Sequence, residues 1–361
     1  MFKNIFLSII CLAVTVISCG KPSQTIVPVD EATNLYPIAK GGKWGYIDQT
    51  GKIRIEPQFD EAMDFSEGVA SVYTSKKWVC IDGSGKIISN EYLAADFPCS
   101  GGLVSVVKEF GETKKYGFID ETGKLIIDFD FDVCTSFSEG LAVAGIDDLY
   151  GYIDKTGNWV IEPQFKILYP FHEGLPAVVF PKNRNKGREG FIDKKGNIAF
   201  KPIYLIAESF SEGLAHVVMN PESPSDWDSR FIDINGHTVF TLDKTIFING
   251  GFSDGVVRVQ VNTKYGFINK KGEFAVKPQY DEAEDFSEGL AVVQIGEKYG
   301  YINTSGNILI NPLFDYVGSF HNGLAQVRLD DKMAYINKKG EYIWGPEKHG
   351  LKPDKFDQEK L

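Results

Sequence analysis

One six-residue pattern recurs nine times along this chain, and that recurrence constrains the fold more than any other feature. It reads KWGYID at Lys43–Asp48, then KYGFID (115–120), LYGYID (149–154), KYGFIN (264–269) and KYGYIN (298–303). KWVCID (77–82), REGFID (188–193), SRFID (229–233) and KMAYIN (332–337) are degenerate copies. The closing Asp or Asn recurs at intervals of 34, 38, 34, 39, 40, 36, 34 and 34 residues, a basic period of 34 with four insertions. Two more marks keep step with it. A glycine stands three residues after each closing residue, from Gly51 to Gly340. FSEGLA or a relative precedes the next copy, as at Phe65–Ala70, Phe137–Ala142, Phe210–Ala215 and Phe286–Ala291, with FHEGLP at 171–176 and FHNGLA at 320–325.

Each unit has the grammar of a small antiparallel sheet. In the span from Phe286 to Phe314, LAVVQI, YGYIN and NILIN are short strand-like runs separated by Gly-Glu-Lys and Thr-Ser-Gly, each short enough for a hairpin. In the Asp-x-x-Gly turn the Asp side chain can accept the backbone N–H two residues on, and Gly takes the positive-φ position. The Pro of IEPQF (Pro57, Pro163) and its relatives Pro202, Pro278 and Pro312 is expected to follow the third strand and stop it. A fourth extended piece is expected within Phe59–Phe65. The Gly between two rings leaves a hole, expected to admit a side chain or backbone from a neighbouring repeat. One such unit cannot bury its own apolar face and must stack on others. The expected fold is therefore all-β, a tandem array of nine ~34-residue β-meander repeats with propeller-like blades; closed ring and open superhelix or solenoid both remain open. This accounts for the excess of glycine (37) and aromatic residues (13%). It also replaces the two or three domains that length alone would suggest.

These residues resemble WG repeat proteins, named for the Trp-Gly pair found here at Trp44-Gly45. The resemblance covers about Val29 to Pro346. Tyr116, Tyr150, Tyr265 and Tyr299 replace the Trp, and Val79 and Ala334 replace the Gly of the second and ninth units. The ring, not Trp itself, is what the position requires. The resemblance implies all-β repeats in bacterial, often exported, proteins, and it implies no activity, ligand or catalytic residue.

Outside the array the chain divides simply. Residues 1–18 read as a lipoprotein signal peptide: Lys3, an apolar run Ile5–Ile17 and a small-residue cut. The run is shorter than the ~20 residues that span a bilayer. Val16-Ile17-Ser18-Cys19 resembles the lipobox of bacterial lipoproteins, which implies acylation of Cys19 and membrane anchoring through the N-terminal lipid. Residues 19–28 are a polar tether, 29–346 the array, and 347–361 a charged C-terminal tail. The resulting expectation is a lipoprotein of the bacterial cell envelope, at the outer membrane or cell surface. Beyond Cys11 and Cys19, only Cys80, Cys99 and Cys134 remain; three is odd, so no full disulfide framework exists, and buried small hydrophobe is the favoured reading. The net charge of −11 and pI of 5.1 argue against nucleic acid.

Catalytic chemistry is hard to find in the sequence. None of the five His pairs at metal-ligand spacing, and no Gly-rich phosphate loop or GxSxG elbow occurs. The turn aspartates invite a calcium reading, but calcium takes six to eight oxygens and each turn offers one carboxylate. No metal, no cofactor and no enzyme activity are expected. What departs from the repeat is three long loops between first and second strands: Lys108–Lys115, Phe180–Glu189 and Met219–Arg230. In a repeat array equivalent loops emerge on one face, often the binding face. Phe110, Arg184, Arg188, Asp226, Trp227 and Asp228 are the candidate contacts, since Trp and Arg most often anchor interfaces. The functional expectation is a non-enzymatic, lipid-anchored scaffold that binds an envelope protein or glycan. A carbohydrate-active enzyme on a propeller-like fold, or a purely structural spacer, are the alternatives.

Overall fold

Two tight turns per period fold every unit back on itself. The first is the Glu-Gly turn of FSEG: in repeat 8 the Ser287 and Leu290 backbones exchange hydrogen bonds of 2.8 and 3.2 Å around Glu288 (φ 55°) and Gly289 (φ 84°). Two consecutive positive-φ residues make the primed turn that matches strand twist. The second is Asp-x-x-Gly, where Asp48 Oδ1 accepts the amides of Thr50 (2.9 Å) and Lys52 (3.1 Å), and the same pair forms in the later repeats. In repeats 7–9 the position is Asn. Asn269 Oδ1 accepts from Lys271 and Glu273 at 2.9 and 3.1 Å, so an amide oxygen serves as well as a carboxylate. The turn therefore needs an acceptor and not a charge, which supports capping over calcium.

The structure, a computed structural model, describes residues 34–89, 92–94, 98–180, 188–219 and 228–345, and all of its described elements are β-strands. Repeat 8 is typical. A two-residue lead strand (Glu282–Ala283) pairs with the first strand (Leu290–Ile295), which pairs with the second (Lys298–Asn303) and that with the third (Ile308–Phe314). The lead strand is the expected fourth piece.

Two expectations are corrected. The Pro does not stop the third strand: in Ile308–Phe314 the chain runs through Pro312, and a step of two residues along the second strand (Tyr299 to Tyr301) spans a step of four along the third (Phe314 to Ile310). Pro lacks the ladder N–H, and a bulge is where a strand tolerates that loss. Nor does the Gly hole admit a neighbouring repeat. A Cβ on Gly300 would strike Ile310 O, and would lie 2.7 Å from Pro312 N, so the hole takes the bulge of its own repeat. The repeats without this Gly confirm the link. Val79 of repeat 2 is followed only by an isolated Ile81–Ile87 bridge; Arg230 and Ala334 precede short third strands, Thr238–Thr241 and Tyr342–Trp344.

Neighbouring repeats share apolar cores. One joins Tyr46, Ile55 and Phe59 of repeat 1 to Ala70, Val72, Val79 and Ile81 of repeat 2. Polar bonds reinforce the stacking: Ser287 Oγ donates to Phe320 O at 2.7 Å, and Glu67 accepts from Gly102 N at 2.7 Å, one link per neighbour pair through most of the array.

The last repeat meets the first through these same contacts. The turn glycine of each repeat sits against the third strand of the one before, Gly85 on Ile55 and Gly306 on Val276; Gly51 of repeat 1 sits on Ile343 of repeat 9. Lys338 Nζ of repeat 9 donates to Glu288 O of repeat 8 (3.0 Å), and Gln49 Nε2 of repeat 1 donates to Asn322 O of repeat 9 at the same distance. Tyr301 OH reaches the next repeat at Gly318 O (2.8 Å), and Tyr335 OH reaches Pro37 O (2.9 Å). Tyr36, Ile38, Ile47, Leu324 and Tyr335 form the shared core of this seam. The cycle of contacts is complete over nine repeats.

Cys80, Cys99 and Cys134 are free, buried thiols. Burial pushes Cys80 up to about 11 and Cys99 up to about 12, which keeps both protonated and inert.

Candidate functional site

Antiparallel order puts the hairpin between first and second strands at the end of the sheet opposite the Asp-x-x-Gly turn. The crossing from each third strand to the next lead strand lies at that same end. In repeats 1, 3, 7 and 8 the two are pinned by a Lys–Asp pair: Lys43–Asp60, Lys115–Asp132 (2.7 Å), Lys264–Asp281 (2.7 Å) and Lys298–Asp315. The second oxygen of the Asp accepts the hairpin amide of the following repeat, as Asp281 does from Gly296 N at 2.9 Å. The hydrogen bond from lysine holds Asp132, Asp281 and Asp315 below the usual carboxylate range.

Among the described residues the pair is absent from repeat 2, where Ala94 falls at the Asp spacing, and from repeats 4–6, although in repeat 4 Lys166 Nζ reaches the hairpin at Asp148 O (3.2 Å) instead. In repeat 4 Leu149 replaces the Lys and Lys166 the Asp; in repeat 5 Arg188 keeps the cation but Leu205 replaces the carboxylate. Without a bend at Leu205, the third strand of repeat 5 runs unbroken into the lead strand of repeat 6 as Ile198–Ala207. A seven-stranded sheet then joins the two repeats. Ile203 and Leu205 on this strand are exposed, as are Ile167 and Tyr169 one repeat earlier. The long loops of repeats 5 and 6 spring from this stretch.

Of the six sequence-predicted contacts, three lie among the described residues. Phe110 stands half exposed at the tip of the lengthened hairpin of repeat 3, Val104–Phe110 and Thr113–Ile119. It belongs to an aromatic group: Phe110 and Phe129 rings are 6.5 Å apart, Tyr92 and Phe129 4.9 Å, and Lys108 Nζ lies 5.6 Å from Phe110 and 5.7 Å from Phe129. Arg188 and Asp228 occupy equivalent positions at the base of the loops of repeats 5 and 6. Asp228 is held by its own strand, accepting from Arg230 Nε at 3.1 Å. Arg184, Asp226 and Trp227 lie outside the described residues, as do Cys19 and both terminal segments. The equivalent hairpins bring Phe110, Arg188 and Asp228 to one end of the ring, on different repeats.

A family comparison fits this geometry. The WG containing repeat matches residues 44–78, 116–150, 150–180, 190–220, 265–299 and 299–332, more than half the chain. The chain belongs to this family. Its unmatched stretches include the second strands of repeats 2 and 6, where Val79 and Arg230 replace the WG glycine and the bulge is lost. A search of curated proteins finds no match. Among solved structures, this WG repeat protein is similar to Hsv2p of Kluyveromyces lactis (13% identity, TM-score 0.37, covering 67% of this chain and 92% of that one). It is also similar to the tricorn protease (12%, 0.27, 88% and 35%) and to the V. cholerae biofilm matrix protein Bap1 (10%, 0.28, 86% and 79%).

Polar intrusions into the aromatic column escaped the sequence reading. Glu189 and Ser229 stand in a column that the other WG repeats fill with Trp or Tyr, apart from Met333 in repeat 9. Glu189 is half-buried. Burial pushes its carboxyl above the usual range, against a 2.6 Å hydrogen bond from Ala207 N. Among the described residues no group of three or more His, Cys, Asp or Glu could hold a metal ion.

Proposed function

We propose that this WG repeat protein is a lipid-anchored binding scaffold of the bacterial cell envelope, holding a protein or glycan partner at its hairpin end rather than turning over a substrate. The carrying observation is the coincidence of three departures on one end of the ring. Over repeats 5 and 6 two sheets fuse along one strand, Ile203 and Leu205 on that strand are exposed, and the loops lengthen; repeat 3 adds the Phe110 group. Exposed apolar side chains beside lengthened loops are a common mark of a binding face. A cluster of mutually tilted rings with a lysine over two of them suits a sugar ring or an aromatic side chain. Acylation of Cys19 is the proposed membrane tie.

Two experiments test this reading. Trp227→Ala and Arg184→Ala, with Phe110→Ala added, are expected to weaken capture of the partner from envelope protein and glycan fractions at least tenfold while leaving the melting curve unchanged. Normal binding by all three variants would move the site elsewhere. Cys19→Ser is expected to shift the protein from the membrane to the soluble fraction; unchanged partition would remove the lipid from the proposal.

A further inference from the structure

His216 lies on the first strand of repeat 6 and is the one buried histidine among the described residues, 8% exposed. Its Nε2 is 2.8 Å from Ser229 Oγ. Its Nδ1, on the other side of the ring, is 3.4 Å from Glu208 Oε1, close enough for attraction but too loose for a hydrogen bond. The Glu208 side chain is 38% exposed. Strand pairing explains the convergence. His216 stands opposite Phe231, Ser229 is two residues along on the same face, and Glu208 N donates to His216 O at 2.9 Å. The order serine, imidazole, carboxylate fixes the useful tautomer: with the Nδ1 proton toward Glu208, Nε2 accepts the serine proton.

A packing role alone does not account for the arrangement. In repeat 7 the His216 position is held by Arg258, which donates to Asn249 O (3.2 Å) and Ala283 O and pairs with Asp285 (3.3 Å), fastening backbone to backbone. His216 instead faces a hydroxyl, and that hydroxyl sits in a column that is otherwise mostly aromatic.

We infer that Ser229 is an activated nucleophile that takes an acyl group from an activated ester. The Ser229 Oγ–carbon bond forms as the ester carbon–oxygen bond breaks. The serine proton passes to His216 Nε2 and then to the departing alkoxide, leaving an acyl-serine and an alcohol. His216 is the base and Glu208 a positioning residue. The inference goes beyond the binding role and does not rest on it: the acceptor is the protein itself, and no turnover is required.

The test treats the full-length protein with a fluorophosphonate probe and maps the adduct by peptide mass. One adduct per chain is expected, on Ser229. Ser229→Ala removes it while the protein still folds, as read by circular dichroism, with some loss of melting temperature because His216 Nε2 loses its partner. His216→Gln slows labelling about 100-fold or more; Glu208→Gln slows it about tenfold, and Glu208→Asp restores part of the rate, as expected of a positioning residue but not of a filler. An unlabelled Ser229, or a rate unchanged in both His216→Gln and Glu208→Gln, overturns the inference. The Glu208 variants keep the test decisive if His216→Gln fails to fold.

Discussion

At the scale of single residues, the repeat is a set of acceptors and holes. The turn aspartates of repeats 1–6 are held below their ordinary range, in Asp120 chiefly by the Thr122 hydroxyl and in Asp193 by the Asn197 amide. A lowered folded value adds stability that is complete above the unfolded pKa of about 3.9 and is lost as pH falls through the folded one. Replacing Asp120, Asp154 and Asp193 with Asn, the residue used in repeats 7–9, should leave stability at pH 7 within about 0.5 kcal/mol and flatten the loss below pH 4; melting curves at pH 7 and pH 3 measure both. The Gly hole is less forgiving. Gly300→Ala drives a methyl into the Ile310–Pro312 bulge and should cost about 1–3 kcal/mol in urea unfolding. The turn residues could be read directly from sequence because their bonds are local. The bulge could not, because Pro after a β-branched run signals a strand end unless one knows that a glycine on the paired strand accommodates it.

At the scale of strands, three mechanisms join one meander to the next: shared aromatic cores, serine-to-carbonyl bonds and carboxylate-to-glycine bonds. Glu288 serves two of its neighbours, accepting from Gly323 N (3.1 Å) and pairing with Lys338 (2.8 Å). Glu288→Ala is expected to cost about 1–2 kcal/mol, read by denaturant midpoint. By contrast, Leu205→Asp should restore the bend between repeats 5 and 6 and give Arg188 an exposed partner worth at most about 1 kcal/mol. Hydrogen exchange at residues 204–206 should speed up while global stability stays nearly constant. The strands and their order were legible in the motif spacing. The fused sheet was not, since it turns on one Asp-to-Leu change at a position whose role emerges only when Lys–Asp pairs are seen across strands. The Ser229–His216–Glu208 group was hidden for the same reason: its members are 8, 13 and 21 residues apart and meet only through pairing.

At the scale of the whole molecule, the sequence defined nine units and left their arrangement open, because nothing in one repeat encodes how many neighbours complete a turn. The seam of Tyr36, Gln49, Asn322 and Tyr335 supplies that answer. An open array sheds a terminal repeat at the cost of one interface, and the remainder stays folded. Here, removal of residues 320–345 breaks two interfaces and bares two apolar faces, so the shortened protein should unfold or associate, which sedimentation and circular dichroism would register. The same closure means that no repeat serves as a cap. Tyr36 and Ile343 pack in one core across the seam, so where the ring is opened is a matter of genetics and not of architecture. A gene rearranged to start at repeat 5, with the old ends joined by a short linker, should specify the same nine-membered ring.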